Sequence, residues 1–307
     1  MKNKALIKNT QHVQIIETDL KSSDCETDVL VKVSHIGLCR TDLQVANGTI
    51  QIDRDEIVLG HEFSAQIHFD PLSEFKKESW VGFNPLIEQK FMGLDFNGAI
   101  CQYLWVKREN LVPTVINNPK VIAYLEPVAA SMAVMKVIDA KNINQKIAII
   151  GYNRIASLTA IIVESFGLKC DIISEKSIQN TNSNTYDIVI ETVFEEKVIA
   201  HTIRILKPNG KLIIKSRKKQ SVGIISSDLV AKEISAQAVN YYSFSQAMQW
   251  LEKNYLLIEH LLGEEIYIDD WKIAFEKAVS SESKKIFIRH HCALFFKIWK
   301  LFCIFYQ

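Results

Sequence analysis

The sequence predicts an α/β chain of two domains, one rich in short strands and one built as a doubly wound parallel sheet. Three observations carry this reading. At 307 residues, 48% of them hydrophobic, the chain is too long for one small core and holds enough apolar mass for two. Residues 5 to about 112 read as short strands with turns between them, whereas Lys146 to Leu262 alternates strand and helix. The strands of that second stretch are continuous apolar runs, as expected where a sheet is covered on both faces.

Taken in order, Val29, Val31 and Val33 alternate with Leu30, Lys32 and Ser34 at period two, which predicts a half-buried strand running toward Cys39. Ile57-Val58-Leu59 leads into Gly60-His61-Glu62, and Phe63 to Ile67 continues as a further strand. From Val121 to Ala140 the positions Tyr124, Leu125, Val128, Ala129, Met132, Met135 and Val137 recur at helical spacing, with Pro127 tolerable near the helix start. Then come a strand at Ile147 to Ile150, a helix from Ile155 to Phe166, and strands at Cys170 to Ile173 and Asp187 to Ile190. The polar run Ser177 to Thr185 reads as a surface loop. Glu195 to Leu206 is expected as a helix, Pro208-Asn209-Gly210 as a turn, Lys211 to Ile214 as a strand and Phe244 to Glu252 as a helix. The basic run Lys215 to Lys219 reads as a solvated loop. No internal repeat is visible.

Two constellations carry chemistry. Gly37-Leu38-Cys39-Arg40-Thr41-Asp42 is followed some twenty residues on by Gly60-His61-Glu62. A thiolate, an imidazole and a carboxylate suit zinc, and a strand, a loop and a returning strand can bring them together. The bland alternative is a buried free cysteine beside a satisfied core histidine. The second constellation, Gly151-Tyr152-Asn153-Arg154-Ile155-Ala156, stands between strand and helix where a dinucleotide fingerprint Gly-x-Gly-x-x-Gly belongs, with only its first glycine present. Asn153 tolerates a left-handed backbone and alanine is an accepted third member, so the turn remains feasible. Glu175, 24 residues after Gly151, ends the second strand near the spacing at which a carboxylate meets ribose hydroxyls. A carboxylate there repels a 2'-phosphate, which favours NAD over NADP unless Lys176 turns inward.

The Gly-x-Cys-x-Thr-Asp and Gly-His-Glu segments, with Trp80 to Pro85 and Gly98 to Pro113, resemble the medium-chain zinc-dependent alcohol dehydrogenases. The resemblance implies a GroES-like β-rich catalytic domain over 1–122, completed by 266–290 through a strand at Ile266 to Ile268, a helix from Asp270 to Val279 and a strand at Lys285 to Ile288. It implies a Rossmann NAD-binding domain over 123–265, with Gly151, Asn153, Arg154, Ile155 and Glu175 on the cofactor. By the same likeness one catalytic zinc sits on Cys39, His61 and either Glu62 or Glu126. Thr41 would relay the alcohol proton, and Asp42 with the non-coordinating glutamate would support the ligands. Many members carry a four-cysteine lobe for a structural zinc. Leu86 to Asn97 contains no cysteine, so no structural zinc is expected and the likeness leans to the sorbitol and threonine dehydrogenase side.

The expected activity is therefore NAD-linked interconversion of a secondary alcohol, such as a polyol, sugar or hydroxy amino acid, and its ketone. Rivals are a catalytically impaired binding module of the same fold and a zinc-free quinone or enone reductase. The family also implies a homodimer or tetramer. A net charge of +1 gives no electrostatic case for nucleic acid, so the partner expected is a small alcohol or ketone. Six scattered cysteines and no amino-terminal signal segment favour a cytoplasmic protein. The hydrophobic tail over 291–307 is too short to cross a bilayer, which makes a membrane partner unexpected. It reads as a packing helix, an interfacial anchor or a non-native extension.

Overall fold

An antiparallel pair, β1 (Lys2–Asn9) and β2 (Val13–Asp19), opens the chain in the computed structural model, which describes residues 1–23, 25–217, 221–281 and 283–291. The hydrophobic tail from 292 onward lies outside the described residues, as do Lys218 and Lys219 of the basic run. Two compact units result, Met1–Glu126 with Leu262–Gln307, and Pro127–Leu261. No helix among the described residues is long and apolar enough to cross a membrane.

The first unit is built around β3 (Val29–Gly37), which precedes a short helix α1 (Arg40–Ala46). After β4 (Glu56–Val58), strand β5 (Glu62–Phe69) pairs antiparallel with β3 and sets Gly37 opposite Glu62. Strands β6 (Trp80–Phe83), β9 (Tyr103–Val106) and β10 (Leu111–Pro113) complete this part of the sheet, and β7 (Leu86–Ile87) and β8 (Lys90–Phe91) make a separate small hairpin. The simple alternation expected for β3 fails at its start, where Val29, Leu30 and Val31 are all buried. The strand is central, with neighbours on both edges and the helix α2 (Pro119–Ala123) packed on it, so both faces are covered at Val29 to Val31 while Lys32 further along stays exposed.

The single helix expected over Val121 to Ala140 is broken into α2, α3 (Leu125–Met132) and a 3-10 turn at Ala133–Lys136. Pro127 supplies the reason: lacking an N–H, it is accommodated only in a first turn, so a helix must restart just before it.

In the second unit β11 (Ile147–Ile150), β12 (Cys170–Ile173), β13 (Tyr186–Glu191), β14 (Leu206–Ile214) and β15 (Ser235–Ala238) form one parallel sheet in the order β12-β11-β13-β14-β15. Helix α4 (Arg154–Ser165) follows β11, α5 (Glu196–Ile205) follows β13, and α6 (Ser226–Ala231) and α7 (Phe244–Asn254) complete the unit. The chain leaves β11 to one side and returns on the other at β13, and the gap between these strands is the switch point at which such sheets take ligands. The crossover over 174–185 carries only a 3-10 turn at Ile178–Asn180. Arg204 holds it, donating to the carbonyls of Ile178 (3.0 Å) and Gln179 (3.2 Å) and to Ser183 Oγ (3.1 Å). The turn expected at Pro208 to Gly210 is instead a bulge within β14: Asn209 has φ of +62° and the ladder shifts register between Tyr186 and Ile188.

The chain then returns to the first unit through β16 (Leu262–Tyr267), α8 (Trp271–Ser280) and β17 (Lys285–Arg289). Strand β17 pairs antiparallel with β3, bringing Phe287 opposite Gly37, and the Leu38 N–H donates to Ile286 O at 2.9 Å.

Candidate metal centre

Cys39 is the N-cap of α1, so a helix follows where the sequence suggested a loop. The signal was present but unread: a carboxylate three residues after a cap is half of a capping box, and Asp42 accepts the Cys39 N–H at 2.9 Å. The same carboxylate reaches the other ligand segment. Asp42 Oδ1 accepts the Gly60 N–H at 3.1 Å and lies 3.3 Å from His61 Nδ1. Gly60 must be glycine, since its φ is +96° and a Cβ would stand 2.7 Å from the Ile100 side chain. Pairing of β3 with β5 then places Glu62 beside the Cys39 loop.

As a result a sulfur of Cys39, a ring nitrogen of His61 and a carboxylate oxygen of Glu62 all lie within 4.8 Å of one another. His61 and Glu62 are buried and Cys39 is half-buried. The Phe91 ring tilts against the imidazole at 4.9 Å. Zinc bonds of about 2.0–2.3 Å set tetrahedral ligands roughly 3.5 Å apart, so these atoms need draw in by only about an ångström. His61 Nδ1 is buried and, despite its closeness to Asp42, misses hydrogen-bond geometry. The donor set, with His61 Nε2 on the Glu62 side at 4.0 Å from Oε1, fits a divalent ion. Thr41 Oγ1 lies 3.8 Å from Cys39 Sγ. Glu126 is buried and its charge reaches Glu62, but it stays outside the three-atom group.

Sequence reasoning missed Lys285. Its ammonium is buried, forms an ion pair with Glu62 Oε2 and stands 5.5 Å from the Tyr124 ring. Burial pushes the Glu62 carboxyl up, the Lys285 charge opposes this, and the Glu126 carboxylate adds to it. Burial also resists charge on Asp42 and His61, yet their mutual attraction prevails: Asp42 is held below its ordinary value and His61 well above.

At the dinucleotide loop Gly151 has φ of +128°, and a Cβ there would meet Thr192 Oγ1 at 2.3 Å. Gly151 takes the left-handed turn, while Asn153 is extended (φ −142°, ψ 168°), so the expected use of asparagine for its left-handed tolerance is corrected. Asn153 serves as the N-cap of α4, its Oδ1 accepting the N–H groups of Ile155 and Ala156 at 3.0 Å each. Its Nδ2 donates to Thr192 Oγ1 at 2.9 Å, and Thr192 donates to Ile150 O at 2.7 Å. Arg154 opens α4 and Ile155 is half-buried beside it. Glu175 does not end β12, which stops at Ile173, but lies in the following turn, half-buried.

Comparison with known proteins agrees with this architecture. Residues 25–116 match the model of the alcohol dehydrogenase GroES-like domain. The chain is 20% identical to D-arabitol-phosphate dehydrogenase of Enterococcus avium, over 90% of this chain and 94% of that protein. A putative zinc-binding dehydrogenase from Sinorhizobium meliloti, bound to NADP, superposes with a TM-score of 0.82 at 16% identity, covering 94% of this chain and 99% of that one. The 2R,3R-butanediol dehydrogenase of Bacillus subtilis gives 0.80 at 20% identity, covering 94% and 100%. The chain therefore carries an alcohol dehydrogenase GroES-like domain over residues 25–116 and shares, with its parallel Rossmann-type sheet, the fold of these dehydrogenases.

Proposed function

We propose that the chain is an oxidoreductase interconverting a secondary alcohol of the polyol or sugar class and its ketone, with zinc on Cys39, His61 and Glu62 and a nicotinamide dinucleotide at the β11–α4 turn. The observation that carries this is the buried meeting of thiol, imidazole and carboxylate within 4.8 Å, backed by Asp42. The names of similar proteins, dehydrogenases of arabitol phosphate and of butanediol, support the substrate class. When bound, zinc supplies a Lewis acid that makes a hydroxyl proton easier to lose near neutral pH, and the dinucleotide supplies the hydride acceptor.

The chain's own residues do the rest. Asp42 fixes both ligand segments and turns the His61 ring so that Nε2, 4.0 Å from Glu62 Oε1, is left for the ion. Thr41 relays the substrate's hydroxyl proton, Oγ1 accepting it as the threonine's own proton passes on to solvent. Lys285 balances the Glu62 charge, and Glu126 contributes a further carboxylate close by without joining the ligand group. Glu175 favours NAD by repelling a 2'-phosphate.

The test is a screen of alcohols and polyols with NAD and with NADP, before and after chelation, alongside elemental analysis of the purified protein. Zinc near one per chain, with oxidation abolished by the chelator, is the expected result. A protein devoid of zinc that reduces enones or quinones overturns it. A second reading, a binding module that has lost turnover, draws on the side chain occupying the dinucleotide turn.

A further inference from the structure

We propose that Asn153 is an internal competitor for the pyrophosphate of the dinucleotide, so that the chain binds the cofactor only with this side chain swung out of the α4 N-terminus. The inference rests on the reading of the β11–α4 turn as a dinucleotide seat.

A phosphate docks at a helix N-terminus by accepting the N–H groups of the first turn that have no partner within the helix. A glycine at the second fingerprint position leaves those groups bare and lets the backbone come close. Here the position carries a side chain that has already taken them. Asn153 Oδ1 accepts from both Ile155 and Ala156, placing a carbonyl oxygen where a phosphate oxygen would bond. The carboxamide is also tethered at its other end, through Nδ2 to Thr192 Oγ1 and onward to Ile150 O, a line that joins β11 to the residue following β13. Three hydrogen bonds must therefore open before a phosphate enters. The phosphate restores the two at the helix but not the one to Thr192. Gly151 offers no compensating room, because the space beside its Cα is filled by Thr192 and by Asn153 itself.

The chain keeps what the sheet contributes to such a site, namely the switch point and a left-handed Gly151, while the anion position is self-occupied. Removal of the competitor should tighten binding of a pyrophosphate and leave binding of a nucleoside unaltered. Glycine is nearly as good a cap as asparagine, so Asn153→Gly keeps α4 intact.

The experiment titrates the full-length, zinc-supplemented protein and its Asn153→Gly and Thr192→Ala variants with NADH, ADP-ribose and adenosine, with circular dichroism as the fold control. Asn153→Gly should bind NADH and ADP-ribose about tenfold more tightly, chiefly because the hydrogen bond to Thr192, which a phosphate does not restore, no longer has to open. Thr192→Ala should give a smaller gain of the same sign, and adenosine should bind all three proteins alike. If the parent protein binds NADH and Asn153→Gly binds it equally or more weakly, the competitor role is overturned while the dinucleotide seat stands. If neither protein binds NADH or ADP-ribose, the seat itself is refuted and the inference falls with it.

Discussion

Lys285 and Glu62 form an ion pair in which each side chain is 2% exposed, joining the last described strand to the strand that begins beside His61. Removing one member of such a pair leaves the other as an unpaired buried charge, typically at about 3–5 kcal/mol. Lys285→Met should lower the unfolding free energy of the metal-free protein by about 3 kcal/mol, and the double variant Lys285→Met/Glu62→Gln should recover most of it. Zinc should raise the melting temperature of Lys285→Met more than that of the parent, because the ion replaces the missing positive charge. Equal shifts in differential scanning fluorimetry would separate Glu62 from the metal.

Asp42 bridges the two ligand segments, so its loss should act on the metal more than on the fold as a whole. Asp42→Asn keeps the volume but removes the charge behind the His61 ring and replaces one acceptor oxygen with a donor. Zinc affinity should fall about 10- to 100-fold, read by competition with a chromogenic chelator. Unchanged affinity would show that His61 is not oriented through Asp42.

The thiols should differ in reactivity in a pattern set by burial. Cys25 is exposed, whereas burial pushes Cys101 up to about 12 and, with the nearby Glu164 and Asp171 charges, does the same for Cys170. Alkylation at neutral pH followed by peptide mass spectrometry should mark Cys25 quickly and leave Cys101 and Cys170 unmodified in the folded protein. Cys39 should be marked in the metal-free protein and protected by zinc. Labelling of Cys39 at one rate with and without the ion would exclude it as a ligand.

Asp70, outside the candidate centre, should contribute to sensitivity to acid. Its carboxylate accepts from the Arg108 guanidinium, including Nη1 at 3.2 Å, and from the N–H groups of Phe75 (2.8 Å) and Leu72 (3.0 Å). The Arg108 hydrogen bonds hold it well below the usual carboxylate range. A folded value below the unfolded one, near 3.9, contributes stability that is complete above about pH 4 and is lost as pH falls further. Asp70→Asn should cost about 2 kcal/mol at pH 7, and the gap to the parent should narrow in denaturation curves below pH 4. A gap independent of pH would mean that charge is not what Asp70 contributes.

Much of the centre was legible from residues close together in the chain. Cys39, His61 and Glu62 stand out as candidates because their types suit a metal, and the apolar runs at Ile147–Ile150, Cys170–Ile173 and Tyr186–Glu191 announce a parallel sheet, because both signals are local. The broken helix after Pro119 and the bulge at Asn209 were less visible, since periodicity records which positions are buried and not where the backbone must restart or kink.

The sequence by itself determined which residue types the candidate centre holds and the two-part α/β plan: residue types and apolar periodicity act over a few neighbours and survive without knowledge of the fold. The tertiary structure alone decided that Lys285, 223 positions from Glu62, would be buried against it, and that ligand-type atoms of Cys39, His61 and Glu62 would lie within 4.8 Å of one another. It also decided that Asn153 would close its own helix and reach Thr192. A lysine at the start of a strand and an asparagine before a helix look like solvent-facing residues until long-range strand pairing removes the water around the first and supplies a partner for the second.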